Sequence, residues 1–315
     1  MASRSPIDPF IKKQGVLFLD GGLATELEQH GHNLKQKLWS AQMMRTSPEA
    51  IKDVHLSYLN AGADCIITAS YQASIPGCIE VGMTKKEAVQ LLKDCVNIAL
   101  DAREEYMQQP GSSHTRIQPI VANSIGPYGA YLANGAEYTG NYSISKDELR
   151  TFHGSRWEVL ADGPNELFAC ETIPNFEEAE VLLELIRQSP NIWAYVSFSC
   201  TDGEHISDGT PILECAALFE SCPQVVAVGV NCTAPVHISK LIGKVKAGAP
   251  SKVVVVYPNS GGQYDGKKRT WTNTTDVVDL AELAEGWLTN GALLIGGCCR
   301  TGPAHISAMR TKILG

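Results

Sequence analysis

The chain has 315 residues, of which 44% are hydrophobic and 19% charged, and its formal net charge is −8. This composition is typical of a globular protein with a large core and excludes an intrinsically disordered chain. The Lys and Arg residues form no basic stripe that would neutralise a phosphate backbone, so we expect no nucleic-acid partner.

The amino-terminal segment lacks the apolar core of a secretory signal, and no run approaches the roughly 18 apolar residues of a membrane span. We therefore expect a cytoplasmic protein with no membrane partner. A reducing compartment keeps thiols free, so the ten cysteines indicate metal binding or catalysis where they cluster and buried apolar side chains elsewhere.

Short apolar, β-branched runs that end in polar or small residues predict eight β-strands. They read as nearly continuous hydrophobic stretches, which is typical of parallel strands that are covered on both faces. The predicted strands span residues 16–20, 65–71, 119–123, 166–171, 192–199, 225–231, 252–257 and 292–296.

Segments with helical periodicity lie between these runs, and several begin with capping residues. Ser47 precedes Pro48, which suits the first helical position, and Ser145 precedes Glu148 by the three residues of a capping box. The clearest predicted helices span residues 48–60, 85–105, 146–160, 175–188 and 275–289.

Regular alternation of strand and helix predicts an α/β fold, and eight such units close most simply into a (β/α)8 TIM barrel. A doubly wound open sheet is the alternative. No linker interrupts the series, so we expect a single domain over residues 1–315. Residues 126–142, rich in Gly, Tyr and Asn, form a long loop after the third strand and a candidate part of the substrate entrance.

Catalytic groups of such barrels lie at the carboxyl ends of the strands. Cys232 ends the sixth strand, and Cys298 and Cys299 follow the eighth. We take these two strand ends as adjacent, which brings three thiols together on one rim. Three thiolates suit Zn²⁺, and a fourth position without a protein ligand indicates a catalytic site.

An open position on such a metal suits a sulfur substrate, because the metal would deprotonate its thiol. Tyr71, at the end of the second strand, is a candidate for the fourth position when no thiol is bound. Alternatively, it packs on the neighbouring loop.

Other strand ends carry candidate substrate-binding residues. Asp20 and Glu171 are carboxylates that would receive the ammonium group of an amino-acid substrate. Gly21 would permit close approach of the backbone to a carboxylate. Asn231, which precedes Cys232, is a further candidate for substrate binding. Without a ligand, the two acids would instead be solvated or helix-capping residues.

Nine segments resemble the homocysteine S-methyltransferases, and the resemblance runs nearly end to end. It is closest to the branch that uses S-methylmethionine and more distant from betaine-dependent relatives. The segments are DGGLATELEQHG, LWSA, HLSYLNAGAD, ITASYQAS, SIGPYGAYLANGAEYTGNY, ACETIPNFEEAE, VGVNC, VVYPNSGGQYDG and GGCCRTGP.

The resemblance implies a (β/α)8 barrel whose zinc is held by Cys232, Cys298 and Cys299. It also implies that homocysteine is held by Asp20 and Gly21 of the DGG segment and by Glu171. The chain departs from its relatives at Gly302, where a second Thr is usual, and at positions 36–37, where an Asp-Pro is usual. The second departure bears on the entrance of the methyl donor.

The implied reaction is direct transfer of a methyl group from a sulfonium donor to the thiol of L-homocysteine, which forms methionine. S-methylmethionine is the preferred donor and S-adenosylmethionine a possible one. Two alternatives remain: an enzyme that depends on betaine or S-adenosylmethionine, and a zinc-binding barrel that binds amino acids without turnover. The sequence does not indicate the oligomeric state.

Overall fold

The computed structural model describes residues 5–34, 38–110, 116–261, 263–265, 270–272 and 279–315. Eight of its strands are parallel and form one sheet. They are Leu17–Phe18 (β1), Cys65–Ile67 (β2), Ile120–Ile125 (β3), Leu167–Ile173 (β4), Ala194–Phe198 (β5), Val225–Asn231 (β6), Val253–Tyr257 (β7) and Ala292–Ile295 (β10).

The strand order is β1-β10-β7-β6-β5-β4-β3-β2, and a bridge between Leu19 and Cys65 joins β1 to β2. The sheet therefore closes on itself, which confirms the predicted (β/α)8 barrel and excludes the open sheet. An antiparallel hairpin of Gln263–Asp265 (β8) and Thr270–Thr272 (β9), which the sequence pattern did not predict, lies between β7 and β10 in the chain.

Helices connect the strands, as the alternation predicted. No helix within the described ranges combines the length and the apolar character that crossing a bilayer requires. The helices are Asp8–Gln14 (α1), Leu23–Gln29 (α2), Trp39–Thr46 (α3), Pro48–Ala61 (α4), Ile75–Glu80 (α5), Lys85–Gln108 (α6), Tyr128–Leu132 (α7), Lys146–Ala161 (α8), Phe176–Gln188 (α9), Ile212–Glu220 (α10), Pro235–Gly248 (α11), Leu280–Asn290 (α12) and Pro303–Leu314 (α13).

Local sequence signals set most of these boundaries. Ser145 and Glu148 form the predicted capping box at α8. Pro48 opens α4 as predicted, but the Ser47 side chain makes no capping hydrogen bond. The helix predicted over 275–289 begins later, at Leu280; residues 275–278 lie outside the described residues.

The predicted strand over 65–71 is too long, because side-chain hydrogen bonds replace the sheet ladder after Thr68, whose backbone N–H still donates to the carbonyl of Ala122 at 2.9 Å. The hydroxyls of Thr68 and Ser70 lie 2.8 Å apart, and Ser70 Oγ donates to the carbonyl of Ser124 at 2.8 Å. The segment therefore turns into the rim of the barrel, where it lines the site described below.

Alternate residues along each strand face opposite sides even though nearly all are apolar. Leu17 and Leu19 belong to the cluster inside the barrel, whereas Val16 and Phe18 pack in the layer between strands and helices. Phe10 of α1 joins the inner cluster, so the amino-terminal helix closes one end of the barrel. The carboxyl ends of the strands remain free to build a site.

Candidate active site

The three predicted metal ligands come together at the carboxyl ends of β6 and β10. The Sγ atoms of Cys232, Cys298 and Cys299 lie within 4.8 Å of one another, and the three residues are partly exposed. Cys232 Sγ is 2.7 Å from Cys298 Sγ and 3.6 Å from Cys299 Sγ. The clustering inferred from the sequence is therefore confirmed in the fold.

β6 and β10 are not adjacent, contrary to the prediction, because β7 lies between them. The end of β7 holds both cysteine loops by backbone hydrogen bonds. Cys232 donates to the carbonyl of Tyr257 at 3.3 Å, and Cys298 donates to that of Pro258 at 2.8 Å. The backbone at Cys232 has a φ of 47°. This strained conformation turns its thiol across β7 towards Cys298.

The donor set fits a thiophilic metal. Tetrahedral zinc with bonds of about 2.3 Å holds its sulfur ligands roughly 3.8 Å apart. The 3.6 Å pair matches this spacing, and the 2.7 Å pair lies about 1 Å inside it. Contacts with Cys232 and then Cys298 lower the pKa of Cys299, whereas contacts with Cys298 and then Cys299 raise the pKa of Cys232. A divalent cation would allow all three thiols to ionise together.

Asn231 is fully buried and does not line the cavity beside the cysteines, so its place differs from the predicted substrate contact. Its Oδ1 accepts from the Thr172 backbone at 2.8 Å and from Ser197 Oγ at 2.9 Å. Its Nδ2 donates to Thr172 Oγ1 at 2.7 Å and points at Cys298 Sγ, 3.8 Å away. The amide thereby holds Thr172, whose φ of 60° is unfavourable for a β-branched residue, and orients Cys298.

Asp20 and Glu171 are buried in the same cavity. Asp20 Oδ2 accepts from the Ile67 backbone at 2.8 Å, whereas Oδ1 has no hydrogen-bond partner among the described residues. Glu171 accepts from Ser124 Oγ at 2.5 Å and from Tyr257 OH at 3.1 Å. Burial raises the pKa of both carboxyls, that of Glu171 to about 7. Two buried acids without a basic partner in the described part of the chain favour a cationic ligand.

Gly21 lines the cavity, and the packing behind it explains why the position has no side chain. A Cβ there would lie 2.8 Å from Tyr58 OH and 2.9 Å from the Thr301 carbonyl. Tyr58 OH donates to that carbonyl at 2.9 Å. The glycine therefore lets the loop after β1 dock against the loop after β10, next to the cysteines.

The loop between β3 and α8, predicted as a candidate part of the substrate entrance, lines the cavity and contains α7 and a 3₁₀ turn at Ala136–Tyr138. It places Tyr138 OH 3.9 Å from Cys299 Sγ, a contact that the sequence analysis missed. Tyr71 also lines the cavity and packs against Gly126, where a Cβ would lie 2.7 Å from its ring. Both tyrosines therefore lie near the cysteines.

Glu178 of α9 anchors this loop from below. The carboxylate is fully buried and accepts from the Tyr128 backbone at 2.6 Å, from Tyr142 OH, and from His153 Nε2 at 2.7 Å. Arg156 in turn contacts His153 Nδ1 at 2.9 Å. The buried network ties both halves of the loop to the barrel and thereby holds the cover of the cavity in place.

The cavity has a volume of about 330 Å³. Four acidic residues line it, namely Asp20, Glu28, Glu137 and Glu171, and no Lys, Arg or His among the described residues does so. This volume is at the small end of ligand pockets, which span about 300–1,000 Å³. The site suits small cationic molecules beside a thiol-bound metal.

The family model described as homocysteine S-methyltransferase matches residues 17–313. The chain is 46% identical to homocysteine S-methyltransferase YbgG of Bacillus subtilis, with 96% of each chain covered. It is 44% identical to homocysteine S-methyltransferase of Escherichia coli, with 99% of this chain and all of the relative covered.

The chain belongs to the homocysteine S-methyltransferase family. It is therefore an enzyme, and the alternative of a barrel without turnover is excluded. The metallated crystal form of the homocysteine methyltransferase MmuM from Escherichia coli superposes with a TM-score of 0.87 at 42% identity, covering 98% of this chain and all of MmuM. That metallated relative and the cluster of three cysteines indicate a metal site in this enzyme.

Proposed function

We propose that the enzyme binds Zn²⁺ through Cys232, Cys298 and Cys299 and transfers a methyl group from S-methylmethionine to the thiol of L-homocysteine. It acts in the cytoplasm as a single domain over residues 1–315. The observation that carries the proposal is the meeting of three thiols and four acidic residues in one small cavity.

The charge of the cavity supports a sulfonium donor. S-methylmethionine carries a sulfonium, an ammonium and a carboxylate, so its net charge is positive, whereas betaine is neutral overall. A cavity lined by acids and by no base among the described residues attracts the cation more strongly. S-adenosylmethionine has the same charge but adds an adenosyl group, which a volume of about 330 Å³ accommodates less readily beside homocysteine.

The reaction moves one methyl group between two sulfur atoms. Bound zinc supplies a Lewis acid that favours the ionised form of the substrate thiol, whose proton leaves to solvent. The acceptor sulfur forms a bond to the methyl carbon, and the bond from that carbon to the sulfonium sulfur breaks. The electron pair stays on the donor sulfur, so S-methylmethionine and homocysteine give two molecules of methionine.

The protein's own residues hold the acceptor in line for this transfer. Asp20 Oδ1 and Glu171 receive the ammonium of homocysteine, while Ser124 and Tyr257 keep the Glu171 carboxylate in position. The loop that carries Tyr138 covers the cavity and limits the access of water. Alignment of the reactants and exclusion of water supply most of the remaining acceleration.

Turnover with separate donors tests the proposal. The zinc-loaded enzyme would be incubated with deuterated homocysteine and S-methylmethionine, S-adenosylmethionine or betaine in turn, and methionine would be measured by mass spectrometry. We expect the highest kcat/KM with S-methylmethionine, with one deuterated and one unlabelled methionine per turnover. Absence of turnover with both sulfonium donors, or metal analysis that finds no zinc in active enzyme, would contradict it.

Replacement of Glu171 by Gln should weaken the binding of methionine, the product that retains the amino-acid end of the acceptor. We expect about a tenfold higher Kd, typical of a lost hydrogen bond to a charged group. Ionised Glu171 is the form that attracts the ammonium. Affinity of the unmodified enzyme should therefore fall as the pH drops through about 7, whereas the variant stays flat.

Calorimetric titration with methionine at several pH values measures both effects, and methionine is chosen because it has no thiol to titrate. Glu180→Gln, on the outer face of the barrel, is the matched control. If the variant kept the same pH dependence, Glu171 would not be the group that binds the ammonium.

A further inference from the structure

The cavity continues outward beyond the acceptor site, and this outer part is where a methyl donor would lie if the proposed function holds. Strand ends supply its inner wall, with Asp20, Glu171 and the three cysteines. Loops and helices that extend from the strand ends supply its outer wall. That wall includes Thr25, Glu28, Leu34, Ser40 and Gln72.

Two uncharged side chains of the outer wall each have a buried oxygen without a hydrogen-bond partner among the described residues: Ser40 Oγ and Gln72 Oε1. Ser40 is 1% exposed. Buried polar atoms are almost always hydrogen-bonded in folded proteins. Two unpartnered oxygens beside one cavity therefore indicate a ligand that supplies their hydrogen-bond partners. One unpartnered buried oxygen would be weaker evidence for a ligand than these two.

The orientation of the Gln72 amide follows from its second contact. Gln72 Nε2 donates to the carbonyl of Ala130 at 3.4 Å, so Oε1 is the atom left to accept a hydrogen bond. Gln72 lies one residue after Tyr71, on the loop after β2. An acceptor at this point suits an ammonium group, and the neighbouring acidic residues Glu28 and Glu137 add favourable potential.

Ser40 lies in the first turn of α3. Its hydroxyl can donate to a carboxylate, which none of the acidic residues of the cavity can do while ionised. Gln72 and Ser40 together therefore offer one acceptor and one donor to an α-amino acid. The inner site binds the acceptor in the same way, so the cavity has two amino-acid subsites.

We propose that Gln72 and Ser40 form the methyl-donor subsite, in which Gln72 Oε1 binds the α-ammonium and Ser40 Oγ binds the α-carboxylate of a sulfonium amino acid. The arrangement places the amino-acid end outward and leaves the sulfonium directed towards the cysteines. Sulfonium compounds that lack an ammonium would lose the Gln72 contact and keep the Ser40 contact.

Three donors separate these contacts: S-methylmethionine, 4-(dimethylsulfonio)butanoate, which has the same chain without the ammonium, and trimethylsulfonium, which has neither group. Gln72→Met keeps the length of the side chain and removes the acceptor. We expect its KM for S-methylmethionine to rise about 10–100-fold, with KM for 4-(dimethylsulfonio)butanoate within about threefold of the unmodified enzyme. Ser40→Ala should raise KM for both carboxylate-bearing donors about 5–10-fold and leave trimethylsulfonium unchanged.

Gln90→Met, the same replacement on the exposed face of α6, is the matched control. Calorimetric titration with S-methylmethionine, without homocysteine, reports binding independently of turnover and should show the same loss of affinity for Gln72→Met. An equal change in KM for all three donors, a change in KM for homocysteine alone, or unaltered binding of S-methylmethionine would overturn the subsite. Failure of the unmodified enzyme with every sulfonium would instead refute the proposed function.

Discussion

Cys298→Ala is expected to abolish both metal binding and turnover while the barrel stays folded. Loss of one of three thiolates leaves two donors, which is too few for a stable tetrahedral zinc site. The metal contribution to thiol activation is several kcal/mol, so kcat/KM should fall at least about 10³-fold. The fold should persist because Cys298 is only partly buried and packs at the edge of the inner cluster, at the rim of the barrel.

Zinc content by mass spectrometry, kcat/KM for homocysteine and the far-UV circular dichroism spectrum measure the three parts of this prediction. Cys200→Ala is the matched control, since Cys200 is also partly buried but lies outside the cluster of three cysteines. The control should keep its zinc and its activity. Full zinc occupancy in Cys298→Ala would show that this cysteine is not a ligand.

Asp64→Ala should be the most destabilising single replacement at the opposite end of the barrel. Asp64 is 1% exposed and accepts from Arg116 at 2.8 Å and from Arg310 at 3.1 Å. It also accepts from Gln14 Nε2 at 2.7 Å and from the Phe18 backbone at 3.1 Å. One carboxylate thus ties together α1, β1 and α13.

Removal of this carboxylate leaves two largely buried guanidinium groups without their acidic partner. The loss of one member of a buried ion pair costs about 3–5 kcal/mol, because the remaining charge stays desolvated. We expect the free energy of unfolding in urea to fall by about this amount. Turnover at temperatures well below unfolding should stay within about twofold, since the change is remote from the cysteines.

Glu282→Ala provides the control, because Glu282 pairs with Lys312 at 2.8 Å on the surface, where its side chain is 64% exposed. Such exposed pairs contribute about 0–1 kcal/mol. If Asp64→Ala and Glu282→Ala lowered the free energy of unfolding equally, the buried cluster around Asp64 would not stabilise the barrel as the contacts indicate.

The position of the cysteines illustrates how far sequence reasoning reached. Counting strands placed Cys232 and Cys298 at carboxyl ends, and all carboxyl ends of a parallel barrel point to the same side. The inference needed no knowledge of the loops. It was wrong in one respect, because β6 and β10 are not adjacent. The end of β7 lies between them, and the two cysteine loops come together over it.

Asn231 and Tyr138 illustrate where sequence reasoning ended. Asn231 was predicted to bind substrate as a polar residue at the end of a strand, whereas the structure turns its amide towards Thr172 and Cys298. Tyr138 is 161 residues from Cys299 in the chain, and the loop that carries it has no periodic pattern to reveal its path. Its signal in the sequence was only the unusual length and composition of residues 126–142.

The sequence by itself determined the barrel, the shared rim of the cysteines and the acids at the strand ends, because these follow from strand periodicity and parallel order. Only the tertiary structure decided which side chains surround each of these acids and cysteines. Ser124 and Tyr257 meet Glu171 from other strands, and Ser40 of α3 and Gln72 of the loop after β2 line the same cavity. Such contacts depend on the path of each loop and on packing between distant segments, which local patterns do not encode.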